Sequence, residues 1–106
     1  MSVNNKVFQI GRLCADPEIV VVGDDKKKAT FRLAVDRPYK KEEVDFFNIT
    51  TWGKLAELCG EYLVKGKQVA LEGYIQIRKF DKADGTSGYY TEVVAEDIKF
   101  LGKKDD

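Results

Sequence analysis

The stretch Val44–Gly66, VDFFNITTWGKLAELCGEYLVKG, changes its hydrophobic period at Trp52-Gly53, and the fold follows from that change. From Val44 to Trp52, β-branched and aromatic residues recur with period two, the pattern of a strand. One face carries Val44, Phe46, Asn48, Thr50 and Trp52; the other carries Asp45, Phe47, Ile49 and Thr51. Phe47 and Ile49 suit a core. The first face spaces its two largest aromatics with polar residues, which makes a poor core and a good stacking platform. Beyond Gly53 the period is helical: Leu55, Leu58, Cys59, Tyr62 and Leu63 form one amphipathic stripe. Gly66 is placed to end that helix in a left-handed cap.

Working outward, the remaining segments alternate as strands. Asn5–Leu13 is apolar on both parities, Val7 and Leu13 on one, Phe8 and Ile10 on the other. Two-sided apolarity in so small a chain places the second face in a subunit interface. Gly11 marks a bulge or bend. The pattern breaks at Ala15-Asp16-Pro17 and resumes over Glu18–Val22, before a turn and the run Lys26-Lys27-Lys28, which reads as a solvated hairpin tip. Ala29–Asp36 turns Ala29, Phe31, Leu33 and Val35 inward. Arg37–Glu43 is a loop with an exposed Tyr39. Lys67–Phe80 turns Val69, Leu71, Gly73, Ile75 and Ile77 inward, with Tyr74, Gln76, Arg78 and Phe80 opposite. Asp81–Gly88 is a hairpin loop, and Tyr89–Leu101 is the last strand. Five strands with one α-helix between the third and fourth is the plan of an all-β OB-fold, a five-stranded Greek-key barrel.

At 106 residues the chain is one domain over 1–106, with flexible ends at about 1–4 and 102–106. No apolar run approaches the ~18–20 residues of a membrane span, and the start MSVNNK has no signal-peptide pattern, so the expectation is cytoplasmic. There is no histidine, which removes His-based nucleophile systems and the commonest metal ligand. Cys14 and Cys59 have no metal spacing and read as reduced core thiols. No enzyme, cofactor or metal is expected. The 18 basic and 18 acidic residues cancel, so where the charges fall matters more than their sum.

Four aromatics are exposed by pattern: Tyr39, Phe46, Trp52 and Phe80. Around them stand Arg37, Lys40, Lys41, Lys54, Arg78 and Lys79. Single-stranded nucleic acid calls for this combination, because unpaired bases stack on flat side chains while cations follow the phosphates. The structural alternatives are specific. A bulge would carry Phe46 into the core, Trp52 would pack under the helix, and Tyr39 and Phe80 would be isolated surface aromatics. Tyr62 belongs by its stripe to the core or its rim.

From Asn4 to Leu101 the chain resembles the bacterial single-stranded DNA-binding proteins. The resemblance is carried by Asn5-Lys6-Val7, Ile10-Gly11-Arg12-Leu13, Asp16-Pro17-Glu18 and Trp52-Gly53-Lys54-Leu55-Ala56-Glu57. Further along follow Glu61-Tyr62-Leu63, Lys65-Gly66, Glu72-Gly73, Arg78-Lys79-Phe80 and Tyr90-Thr91-Glu92-Val93. It implies an OB core that coats single-stranded DNA at the nucleoid during replication, repair and recombination. In that family Tyr39, Phe46 and Phe80 stand where tryptophan is common, and Trp52 where phenylalanine is frequent. Lys6, Lys54, Lys65 and Lys79 stand where lysines approach phosphate. The resemblance also implies a homotetramer that dimerises through the first strand, with Val7, Phe8, Ile10 and Leu13 at the interface. Relatives carry a Gly/Pro-rich tail with an acidic tip that recruits enzymes. Neither occurs before Asp106, so recruitment through the tip is not carried over. The rival readings are a primosome-type or RNA-binding OB protein, and an OB adaptor for protein or sugar.

Overall fold

At Trp52-Gly53, where the period changes, strand gives way to helix. Gly53 takes φ 65°, a left-handed conformation that lets the chain turn sharply from one element into the other. The computed structural model describes residues 4–101, with the backbone alone at Lys41. Of the ends expected to be flexible, at about 1–4 and 102–106, all but residue 4 lie outside the described residues. The elements are β1 (Val7–Leu13), β2 (Glu18–Val22), β3 (Lys26–Arg37), β4 (Lys40–Trp52), α1 (Gly53–Tyr62), β5 (Gln68–Asp81) and β6 (Ser87–Phe100).

Five of these strands close a barrel in the order β1-β5-β6-β4-β3, and β3 returns to β1 through Arg12↔Ala34 and Leu13↔Leu33. This is the OB-fold. The resumed alternation at Glu18–Val22 is a separate short strand, β2, which pairs only with β3 and lies at the sheet edge. With β2 counted, the helix falls between β4 and β5, still after the third strand of the barrel. β1 pairs with β5 along most of its length and reaches β3 at its end. That double pairing needs Gly11, because a Cβ there would run into the carbonyl oxygen of Ala34. α1 packs mainly on β3 and stops one end of the barrel with Ala56 and Cys59, both fully buried. Around them Leu13, Ala29, Phe31, Leu33, Ile49, Leu63, Val69, Leu71, Val93, Ala95 and Ile98 form one core. Burial also pushes the Cys59 thiol above its ordinary value, so it stays protonated at neutral pH. Cys14 is likewise a free thiol, half-buried rather than in the core.

Several sequence expectations fail. Ile75 and Ile77 are 40% and 61% exposed, not inward. β5 and β6 stay paired out to Asp81↔Ser87, but β6 meets β4 only at Ile49↔Val93 and Thr50↔Val94. Past that point the hairpin runs on as an arm that no other strand or helix among the described residues covers on its inner face. Tyr62 is 57% exposed and only tilts against Phe100, with 5.8 Å between ring centres. Gly66 does not cap the helix. The helix ends at Leu63, whose N–H bonds to the Cys59 carbonyl, and Gly66, in the turn that follows, donates its N–H to the carbonyl of Leu13 at the end of β1.

Candidate nucleic-acid interface

β3 and β4 pair without interruption from Lys28↔Trp52 to Asp36↔Val44. Cross-strand partners share a face, so Lys28, Thr30, Arg32 and Ala34 stand opposite Trp52, Thr50, Asn48 and Phe46. An aromatic therefore closes each end of this outward row, and each carries cations. The Arg32 guanidinium lies 4.9 Å from the Phe46 ring centre. The Lys26 and Lys28 ammonium groups lie 5.3 and 5.5 Å from that of Trp52. Both rings are partly open, Phe46 at 53% and Trp52 at 38% exposure.

The arm supplies the opposite wall. Because β4 and β6 are joined at only two residue pairs, they splay apart beyond Asn48 and open a groove of about 440 Å³. Phe46, Phe47 and Asn48 line one side, and Ile75, Tyr89 and Tyr90 the other. A second groove of about 260 Å³ shares Asn48 and Tyr90 and continues over Thr30 and Arg32 to the segment from Cys14 to Glu18. Beneath the junction lies Glu92, only 4% exposed. It accepts from Thr50 Oγ1 at 2.7 Å and Gln76 Nε2 at 3.1 Å, and Arg78 Nε lies 3.1 Å away. A buried carboxylate satisfied this completely stiffens the platform rather than repelling a polyanion. It also accounts for Thr50, which faces outward by pattern yet is buried.

The residues singled out in the sequence divide. Phe46 lines the groove, and Trp52 ends the same row. Phe80 is 47% exposed on the arm, on the face of β5 that carries Arg78, and Arg78 lies 5.0 Å from the Tyr90 ring. Tyr39 is 94% exposed at the tip between β3 and β4 and lines neither groove. Lys40, Lys54, Lys65 and Lys79 are exposed but also line neither. Lys6 is paired with Glu72 at 3.3 Å. Arg37 is held by Glu43 at 2.6 Å and Asp45 at 3.0 Å; its hydrogen bonds hold the Asp45 carboxyl below its usual range. On β1, Phe8 and Ile10 face outward at 66% and 46% exposure, and Val7 is half-buried. Leu13, at 2%, belongs to the barrel core and offers no outward surface, because its parity points in and β3 covers it.

Arg32, Tyr89 and Tyr90 were not marked as site residues by the sequence pattern, and Lys26-Lys27-Lys28, read there as a solvated hairpin tip, instead opens β3 and pairs with β2. Arg32 stood on the outward parity of its strand; only the register brings it to Phe46. Among the described residues no group of three or more His, Cys, Asp or Glu side chains is placed to hold a metal, and no helix is long and apolar enough to cross a membrane.

A model of the single-strand binding protein family matches residues 4–101, every described position. The chain belongs to this family. Among curated relatives, Single-stranded DNA-binding protein 3 of Clostridium acetobutylicum is 50% identical over 92% of this chain and 70% of its own length. The Single-stranded DNA-binding protein of Clostridium tetani is 46% identical over 92% and 70%. Single-stranded DNA-binding protein 1 of Streptococcus pyogenes is 43% identical over 92% and 76%. The family resemblance read from Trp52–Glu57 and its flanking motifs is thereby borne out.

Proposed function

We propose that this chain binds single-stranded DNA with little sequence preference and without catalysis, coating strands exposed in replication, repair and recombination at the cytoplasmic nucleoid. The observation that carries this reading is the open row from Phe46 to Trp52, with cations over both terminal rings, facing a groove walled by Tyr89 and Tyr90. Bases stack on Phe46, Trp52, Phe80 and Tyr90, each stack contributing about 1–3 kcal/mol, while Arg32, Lys40, Lys54, Lys65 and Lys79 follow the phosphates. Tyr39 joins from the hairpin tip. Lys6, Arg37 and Arg78 reach phosphate only by exchanging their carboxylate partners for it. The assembly is a homotetramer in which Phe8 and Ile10 bury their exposed faces against a second copy.

Trp52, the only tryptophan, supplies the test. Its fluorescence is followed while oligo(dT), then oligo(U) and duplex DNA of equal length, are added at two salt concentrations. Strong quenching by oligo(dT), a weak response to duplex and loss at high salt are expected. Equal quenching by oligo(U) would shift the reading to RNA, and salt-insensitive behaviour would shift it to a protein or sugar adaptor.

A further inference from the structure

The run Lys26-Lys27-Lys28 opens β3, and the pleat divides it. Lys27 points to the helix side, where its ammonium lies 3.9 Å from Glu57 on α1. Lys26 and Lys28 point to the other face and converge on Trp52. Lys28 is the direct cross-strand partner of Trp52, and Lys26, paired with Val22, lies just past the end of β4. Two ammonium groups, each within 5.5 Å of the same ring centre, concentrate positive charge at that ring. That charge attracts an anion to the edge of the ring, and a flat apolar group on the ring replaces the contact the ammonium groups give up.

We propose that Lys26, Lys28 and Trp52 form one nucleotide subsite, in which the base stacks on Trp52 and the two lysines take the flanking phosphates, while Lys27 is a structural tie to α1. This rests on the single-strand reading above and extends the strand's path along the whole β3–β4 face, past the groove, to the end of β4. Lysine stems are flexible and their ammonium groups strongly hydrated, so both can leave the ring for phosphate without moving the backbone. The order of events is set by charge: in the free protein the cations cover the ring, and nucleic acid uncovers it.

The experiment compares the salt dependence of oligo(dT) affinity for the unaltered protein, K26A/K28A, K27A and K26R/K28R. Each phosphate contact contributes about 0.7 to the log–log slope on a single strand. K26A/K28A is therefore expected to flatten the slope by about 1.4, K27A to leave it unchanged, and K26R/K28R to restore it. If K26A/K28A keeps the original slope, or K27A flattens it equally, the subsite is overturned while single-strand binding stands. If the unaltered protein does not bind oligo(dT), the single-strand reading fails and the subsite with it. Thermal melts of the variants separate a binding loss from a folding loss.

Discussion

The two halves of β5 carry the same alternation and meet opposite fates. Val69 and Leu71 are 0% and 1% exposed, whereas Ile75 and Ile77, in step with them, are 40% and 61% exposed. The strand pairs with β6 on both sides of a single register shift between Glu72 and Gly73, out to Asp81↔Ser87. What differs is the far side: the first half faces the barrel interior, where Val69 and Leu71 join the core, while the second has outrun it. Pleat periodicity assigns a side chain to a face, and burial needs a second layer over that face. The uncovered half is also where the groove opens, so exposed apolar surface and the proposed binding surface coincide.

The comparison is broken most directly through stability. Leu33→Ala, at a site with no exposure, is expected to cost about 2–5 kcal/mol. Ile77→Ala on the arm should stay within about 0.5 kcal/mol. Urea unfolding measures both, and an arm variant as costly as the core variant would mean the arm is covered in solution. Binding should show the reverse ranking. Phe46→Ala on the barrel face and Phe80→Ala on the arm are each expected to lose about 1–3 kcal/mol of oligo(dT) affinity, with melting temperature nearly unchanged. Full affinity in Phe80→Ala would confine the DNA path to the barrel face.

The smallest effect is at the β3–β4 tip. Asp45 bonded to Arg37 titrates below its ordinary value of 3.8, so the pair's contribution is complete above the ordinary carboxylate range. It is lost as pH falls through the lowered value. Both groups are exposed, and the effect on global stability is slight. NMR titration should show the Asp45 carboxyl moving later in acid than an unpaired aspartate, and Arg37→Ala should return it to the ordinary range.

These contrasts separate what the sequence carries from what it does not. The switch of period at Trp52-Gly53 is local, and so is the alternation that turns Leu33 and Ile49 inward; both are readable from neighbouring residues. The fate of Ile77 depends on where β6 leaves β4, which no neighbour reveals. Thr50 and Asn48 have the same parity and polarity, yet Thr50 is buried because Glu92, far along the chain, accepts its hydroxyl. Phe46 and Trp52 were identifiable as exposed aromatics, but their cations were not, since Arg32 and Lys28 reach them only through register. Leu13 was placed at an interface because strand parity does not say which of two apolar faces the barrel itself will use.

The brief ladder between β4 and β6 bears on how the protein is made. β6 is the last barrel strand to leave the ribosome, yet it lies between β5 and β4 in the sheet. Until Val93 and Val94 reach Ile49 and Thr50, the chain holds two partial sheets linked only where β1 touches β3. Final closure waits for nearly the whole of residues 4–101 to be synthesised. Folding that depends on such distant pairings is slow, on the order of milliseconds to seconds, and a chain interrupted before Val93 would leave both partial sheets with open edges.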